Sequence, residues 1–239
     1  MSTTRSAGSL PPARRIPIPG SRSSPADDDD STGTPPTRRR GGRTGLLLLV
    51  GLAAVGFTAV YLISDLIEVA QGGFSTFRLS LTYAGEAAIP LFVIGLYAVQ
   101  RPRIGRLGFF GAVAYAYSYV FFTSTVVYAL IAGTPNYAAL VKVFGAWMTV
   151  HGLIMLAGGL AFGLAVARAG VLPRWTGVCL MAGVVLVVAA SGLPDTTRTV
   201  AAAVPDTAFI GMGLALLSGR MKPGARQPRT AVTHPNHAP

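Results

Sequence analysis

Six long apolar stretches follow one another between Gly45 and Ser218, separated by short connections that carry much of the arginine. A helix needs about 20 mostly apolar residues to cross roughly 30 Å of hydrocarbon, and several of these stretches reach that length without a full charge. Strands of a membrane barrel would read as segments of about 10 residues alternating apolar and polar side chains. The runs Leu46 to Val60 and Val184 to Ala190 show no such alternation. The expected fold class is therefore all-α, a polytopic transmembrane helix bundle in which every backbone polar group is satisfied within its own helix.

Composition agrees, with 51% hydrophobic and only 12% charged residues and a mean hydropathy of +0.52. Soluble domains carry about twice that share of charge. Three domains are expected: a Pro-rich basic tail over 1–43, a six-helix membrane domain over 44–219, and a basic tail over 220–239. The spans are placed at about 45–66, 79–99, 107–131, 138–166, 175–193 and 199–218. Both tails read as disordered. The first holds prolines at 11, 12, 17, 19, 25, 35 and 36 and too few apolar residues to offset the entropy of ordering.

The net charge of +11 would suit a nucleic-acid binder, but with six spans it points instead to topology and anionic lipid. With the remote Arg5, Arg14, Arg15 and Arg22 left aside, one side of the membrane collects thirteen basic residues. They are Arg38, Arg39, Arg40, Arg43, Arg101, Arg103, Arg106, Arg168, Arg174, Arg220, Lys222, Arg226 and Arg229. The other side has three, Arg78, Lys142 and Arg198. That bias places both termini in the cytoplasm. The expected partners are the bilayer, anionic headgroups at the arginine clusters, and a second copy or another membrane protein. Nucleic acid is not expected.

The sixth span is interrupted by Pro205 and Asp206. Either a helix from about Thr199 is kinked there, or the two residues form the first turn of a shorter helix, where a missing amide donor and a negative charge are both tolerated.

Ionisable groups at membrane depth are costly, so each raises a functional question. Glu86 lies within Ala84-Gly85-Glu86-Ala87-Ala88, His151 is near the middle of the fourth span, and Asp206 is in the outer part of the sixth. These three form the candidate site for a proton or a ligand. Asp65 and Glu68, three residues apart on one helix face, form a candidate acidic rim at the outer end of the first span, or simply a solvated helix end. Tyr117, Phe121, Ser124 and Tyr128 recur at helical spacing in the third span, to pack against a neighbouring helix or line a pocket. Gly159 and Gly163 form a GxxxG that lets helices approach, within the bundle or in a dimer.

No catalytic residue, metal site or cofactor is expected. Cys179 is the only cysteine, there is no HExxH or phosphate-binding GxxxxGK[ST] sequence, and Ser118 and Ser124 sit in no nucleophile turn. His234 and His237 have a metal-like spacing, but they fall in the tail.

Phe162-Gly163-Leu164, the run Arg168-Ala-Gly-Val-Leu-Pro-Arg-Trp175 and Gly211-Met-Gly213 together resemble multi-span membrane proteins of high-GC bacteria, notably actinobacteria. The resemblance covers mainly the last three spans. It implies an inner-membrane location and brings no activity or site residues. Two readings of function follow from the residues themselves. The first is a non-enzymatic structural or accessory membrane component. The alternative is a small proton-coupled transporter or ligand-binding membrane protein using Glu86, His151 and Asp206.

Overall fold

The computed structural model describes residues 38–219, and the two tails read as disordered lie outside the described residues except for 38–43. Seven helices and no strand are found among them: α1 (Arg38–Gln71), α2 (Thr76–Gln100), α3 (Gly105–Ala132), α4 (Tyr137–Phe144), α5 (Ala146–Ala169), α6 (Arg174–Ala189) and α7 (Asp195–Leu217). Five of them, α1, α2, α3, α5 and α7, are long and apolar enough to cross a membrane. The chain thus reads as a multi-pass membrane protein. At 16 residues, α6 is apolar but shorter, reaching about 24 Å at 1.5 Å per residue.

Short connections force successive long helices to run antiparallel, and the packing closes them into a ring. Going round it, α1 packs on α2, α2 on α3, α3 on α5, α5 on α6, α6 on α7 and α7 back on α1, while α4 leans on α5. Large apolar side chains face outward, including Leu91 and Ile131 at 77% and 83% exposure, as lipid rather than water would require. Phe92 of α2 and Phe209 of α7 meet edge to face in the interior with ring centroids 5.3 Å apart, and Tyr115 of α3 lies 5.7 Å from Phe209.

Small residues set the helix spacings. A Cβ at Gly158 would lie 2.6 Å from the Tyr115 backbone nitrogen, which brings α3 and α5 into backbone contact. The GxxxG pair serves the bundle itself, because Cβ atoms at Gly159 and Gly163 would strike Val184 and the Gly177 carbonyl of α6, at 2.6 and 2.7 Å.

Three expectations need correction. The stretch 138–166 is not one span but two helices broken at Gly145, whose φ of 51° and ψ of −125° suit glycine alone. Its neighbours Phe144 and Ala146 are apolar, so hydropathy runs unbroken through the turn. The shorter-helix reading of the sixth span is also set aside. α7 starts at Asp195 and continues through Pro205, which packs its ring against Gly183 of α6 and takes up the space a larger side chain would need. Lastly, α1 opens at Arg38, inside the stretch assigned to the tail, since no proline follows Pro36 until Pro90.

Candidate functional site

The functional candidates gather at the end of the bundle formed by the C-termini of α1, α3 and α6 and the N-termini of α2, α5 and α7. Its architecture begins with caps. Ser75 caps α2 by accepting the Arg78 amide at 3.3 Å, and Asn136 caps α4 by accepting the Ala139 amide at 3.0 Å. Phe74 N–H donates to the Pro135 carbonyl at 2.9 Å and ties two connections together. A cavity of about 400 Å³ opens below them, lined by α1 to α7 except where the interior aromatic rings close it.

At its outer level, Arg78 of α2 reaches across to α1. Its guanidinium donates to Glu68 and lies 3.5 Å from Asp65, with all three side chains under a tenth exposed. The same guanidinium sits 4.6 Å from the centre of the Phe74 ring. Ser64 and Thr82 hydrogen-bond across the α1–α2 seam, and both hydroxyls reach the Arg78 carbonyl. Arg198 of α7 covers the ring of Tyr137 at 3.8 Å. Tyr137 stands on α4, outside the spans, and burial pushes its phenol above the usual range.

Deeper in, Glu86 and Asp206 line the same cavity, each about 6% exposed. Oε2 of Glu86 and Oδ2 of Asp206 have no hydrogen-bond partner. Tyr61 of α1 lines the same cavity and approaches the α2 backbone beside Glu86. Gly85 makes that approach possible: a Cβ there would lie 2.8 Å from Tyr61 Cβ, so α1 and α2 close up beside Glu86. Tyr115 and Tyr119 of α3 lie ring to ring at 5.1 Å and complete the floor.

No protein-family model, curated protein or solved structure matches this chain. Function must therefore be argued from the cavity.

Glu86 and Asp206 are brought together in one cavity, while His151 is not among its lining residues. The His151 ring stacks on Phe121 of α3 at 3.7 Å and 8°, with Tyr117 and Trp147 beside it, and its Nδ1–H donates to the Trp147 carbonyl at 2.9 Å. Tyr117 and Trp147 are more than half exposed, so this cluster belongs to the outer seam of α3 and α5. Asp65 and Glu68 are not a solvated helix end: both are buried against Arg78 and line the outer level of the cavity. The helical stripe Tyr117, Phe121 and Tyr128 turns outward or packs on His151 and Phe144, and the pocket takes instead Tyr115, Tyr119 and Phe122. Lys142 is exposed.

Arg78 and Tyr61 join the site only in the folded bundle; in the sequence Arg78 counts as a topological charge alone. Its signal was available: a cation ten residues beyond Glu68, across a connection containing Gly72 and Gly73, is placed to face the preceding helix end. Among the described residues no group of three or more His, Cys, Asp or Glu could hold a metal ion.

Proposed function

We propose that this chain is a ligand-binding membrane protein whose cavity receives a small molecule from the side opposite both termini. The observation that carries this reading is the pair of buried carboxyl residues Glu86 and Asp206, each with one partnerless oxygen, lining one cavity of about 400 Å³. A buried carboxyl oxygen without a partner is costly in an apolar surround, and two residues bearing one each at a single cavity are placed to meet a ligand there. The volume falls in the range of small-molecule pockets, and a few polar groups on a mostly apolar wall are what such pockets contain.

The topology proposed with it has six crossings, α1, α2, α3, α5, α6 and α7, with both termini cytoplasmic in a bacterial plasma membrane. The ring of six packed helices and the thirteen-to-three distribution of basic residues support this orientation. Anionic headgroups would then meet the connections bearing Arg101, Arg103, Arg106, Arg168 and Arg174.

The test is accessibility at Ala202, which lines the cavity one helical turn from Asp206. In a Cys179→Ser background, Ala202→Cys is expected to react with a membrane-impermeant maleimide added outside intact cells. A thiol that reacts from neither side would mean a dry, sealed interior and would remove the ligand-pocket reading.

A further inference from the structure

The chemistry of the ligand can be argued from the charges and the wall. Four carboxyl groups line the cavity, those of Asp65, Glu68, Glu86 and Asp206, against two guanidinium groups, Arg78 and Arg198. Arg78 is engaged by Asp65 and Glu68 at the outer level, and Arg198 lies over Tyr137. The deeper level thus holds Glu86 and Asp206, which both line the space and each carry one buried oxygen without a hydrogen-bond partner. A carboxylate in such a place either keeps a proton or meets a cation.

We propose that the pocket takes an organic ammonium, its N–H groups donating to Glu86 and Asp206 and its apolar body lying against Phe122, Met155 and Val184. This inference rests on the ligand-pocket reading above. Three observations favour an organic cation over the other charged ligands. The space of about 400 Å³ is many times that of a bare ion, and no three carboxyl or imidazole groups converge as metal ligands among the described residues. Phe122, Met155 and Val184 line the same cavity and offer an apolar wall to the body of such a ligand. Phenol rings of Tyr61, Tyr115 and Tyr119 line the same level, and a cation near aromatic faces gains electrostatic attraction from their quadrupoles. An anionic ligand would add like charge beside two carboxylates with no basic group at their depth among the described lining residues. A zwitterion would need its carboxylate to reach the outer guanidinium groups, where Arg78 is held by Asp65 and Glu68 and Arg198 lies over Tyr137.

Titration calorimetry on the full-length protein in lipid nanodiscs tests this with three probes of one shape: 2-phenylethylammonium, its neutral isostere 2-phenylethanol, and 3-phenylpropionate. The ammonium is expected to bind at least about tenfold more tightly than the alcohol, the step associated with one charge-assisted hydrogen bond. Glu86→Gln and Asp206→Asn should each erase that difference by weakening the ammonium, with wild-type helicity by circular dichroism and a single gel-filtration peak showing that the variants are folded. Equal or tighter binding of the alcohol or the carboxylate overturns the cation and leaves the pocket standing. Ammonium binding indifferent to both substitutions places the site elsewhere and overturns it too. If none of the three probes binds at millimolar concentration, the pocket reading fails and takes this inference with it.

Discussion

The Arg78 guanidinium of α2 donates to the Glu68 carboxylate of α1 at a place where both side chains are about 8% exposed. One cation thereby holds two acids, because Asp65 lies 3.5 Å from the same nitrogen. The contact fixes the outer ends of α1 and α2 and frames the mouth of the cavity.

Removing the cation strands both carboxylates in a buried site, where loss of one partner of an ion pair costs about 3–5 kcal/mol. Arg78→Met is therefore expected to lower the unfolding free energy of the purified protein by that order, read by denaturation in detergent. The triple variant Arg78→Met, Asp65→Asn, Glu68→Gln should recover most of the loss. A single variant as stable as wild type would show that the triad contributes nothing to the fold.

Glycines at the helix seams should divide into two groups. Gly158→Ala forces a Cβ to within 2.6 Å of the Tyr115 backbone nitrogen, and overpacking of this kind costs about 1–3 kcal/mol. Gly56→Ala, with nothing within 4 Å, should be neutral or slightly stabilising through helix propensity. Thermal unfolding of both variants compares them directly, and equal behaviour would contradict the described α3–α5 contact.

Orientation has its own readout. In the Cys179→Ser background, Ser191→Cys in the α6–α7 connection should label from outside intact cells, and Arg103→Cys in the α2–α3 connection only after permeabilisation. The reversed pattern would turn the bundle over. Labelling of both from one side would mean an even number of crossings between them.

Much of the architecture is legible in the sequence because a bilayer admits so few solutions. Continuous apolar runs announce helices, and short connections make neighbours of them. The break at Gly145 is hidden since its flanks Phe144 and Ala146 are as apolar as the spans, and hydropathy does not register a positive φ. Pro205 signals a helix interruption, yet α7 accommodates it where Gly183 leaves room. At the site, Glu86 and Asp206 stand out because their charges lie in apolar surroundings. The role of Arg78 is tertiary, as is the direction of His151. Spacing along one helix tells which residues share a face, but which face meets the cavity depends on packing with helices remote in sequence. That is why Tyr115 and Tyr119 line the space and Tyr117 and Phe121 do not.

The most direct measurement of the central claim is the rate at which Ala202→Cys reacts with an impermeant maleimide, with and without 2-phenylethylammonium. The probe is expected to slow the reaction in a saturable way, and adding Glu86→Gln to remove the protection. A rate unaffected by the bound ammonium would contradict the placement of the ligand between Glu86 and Asp206.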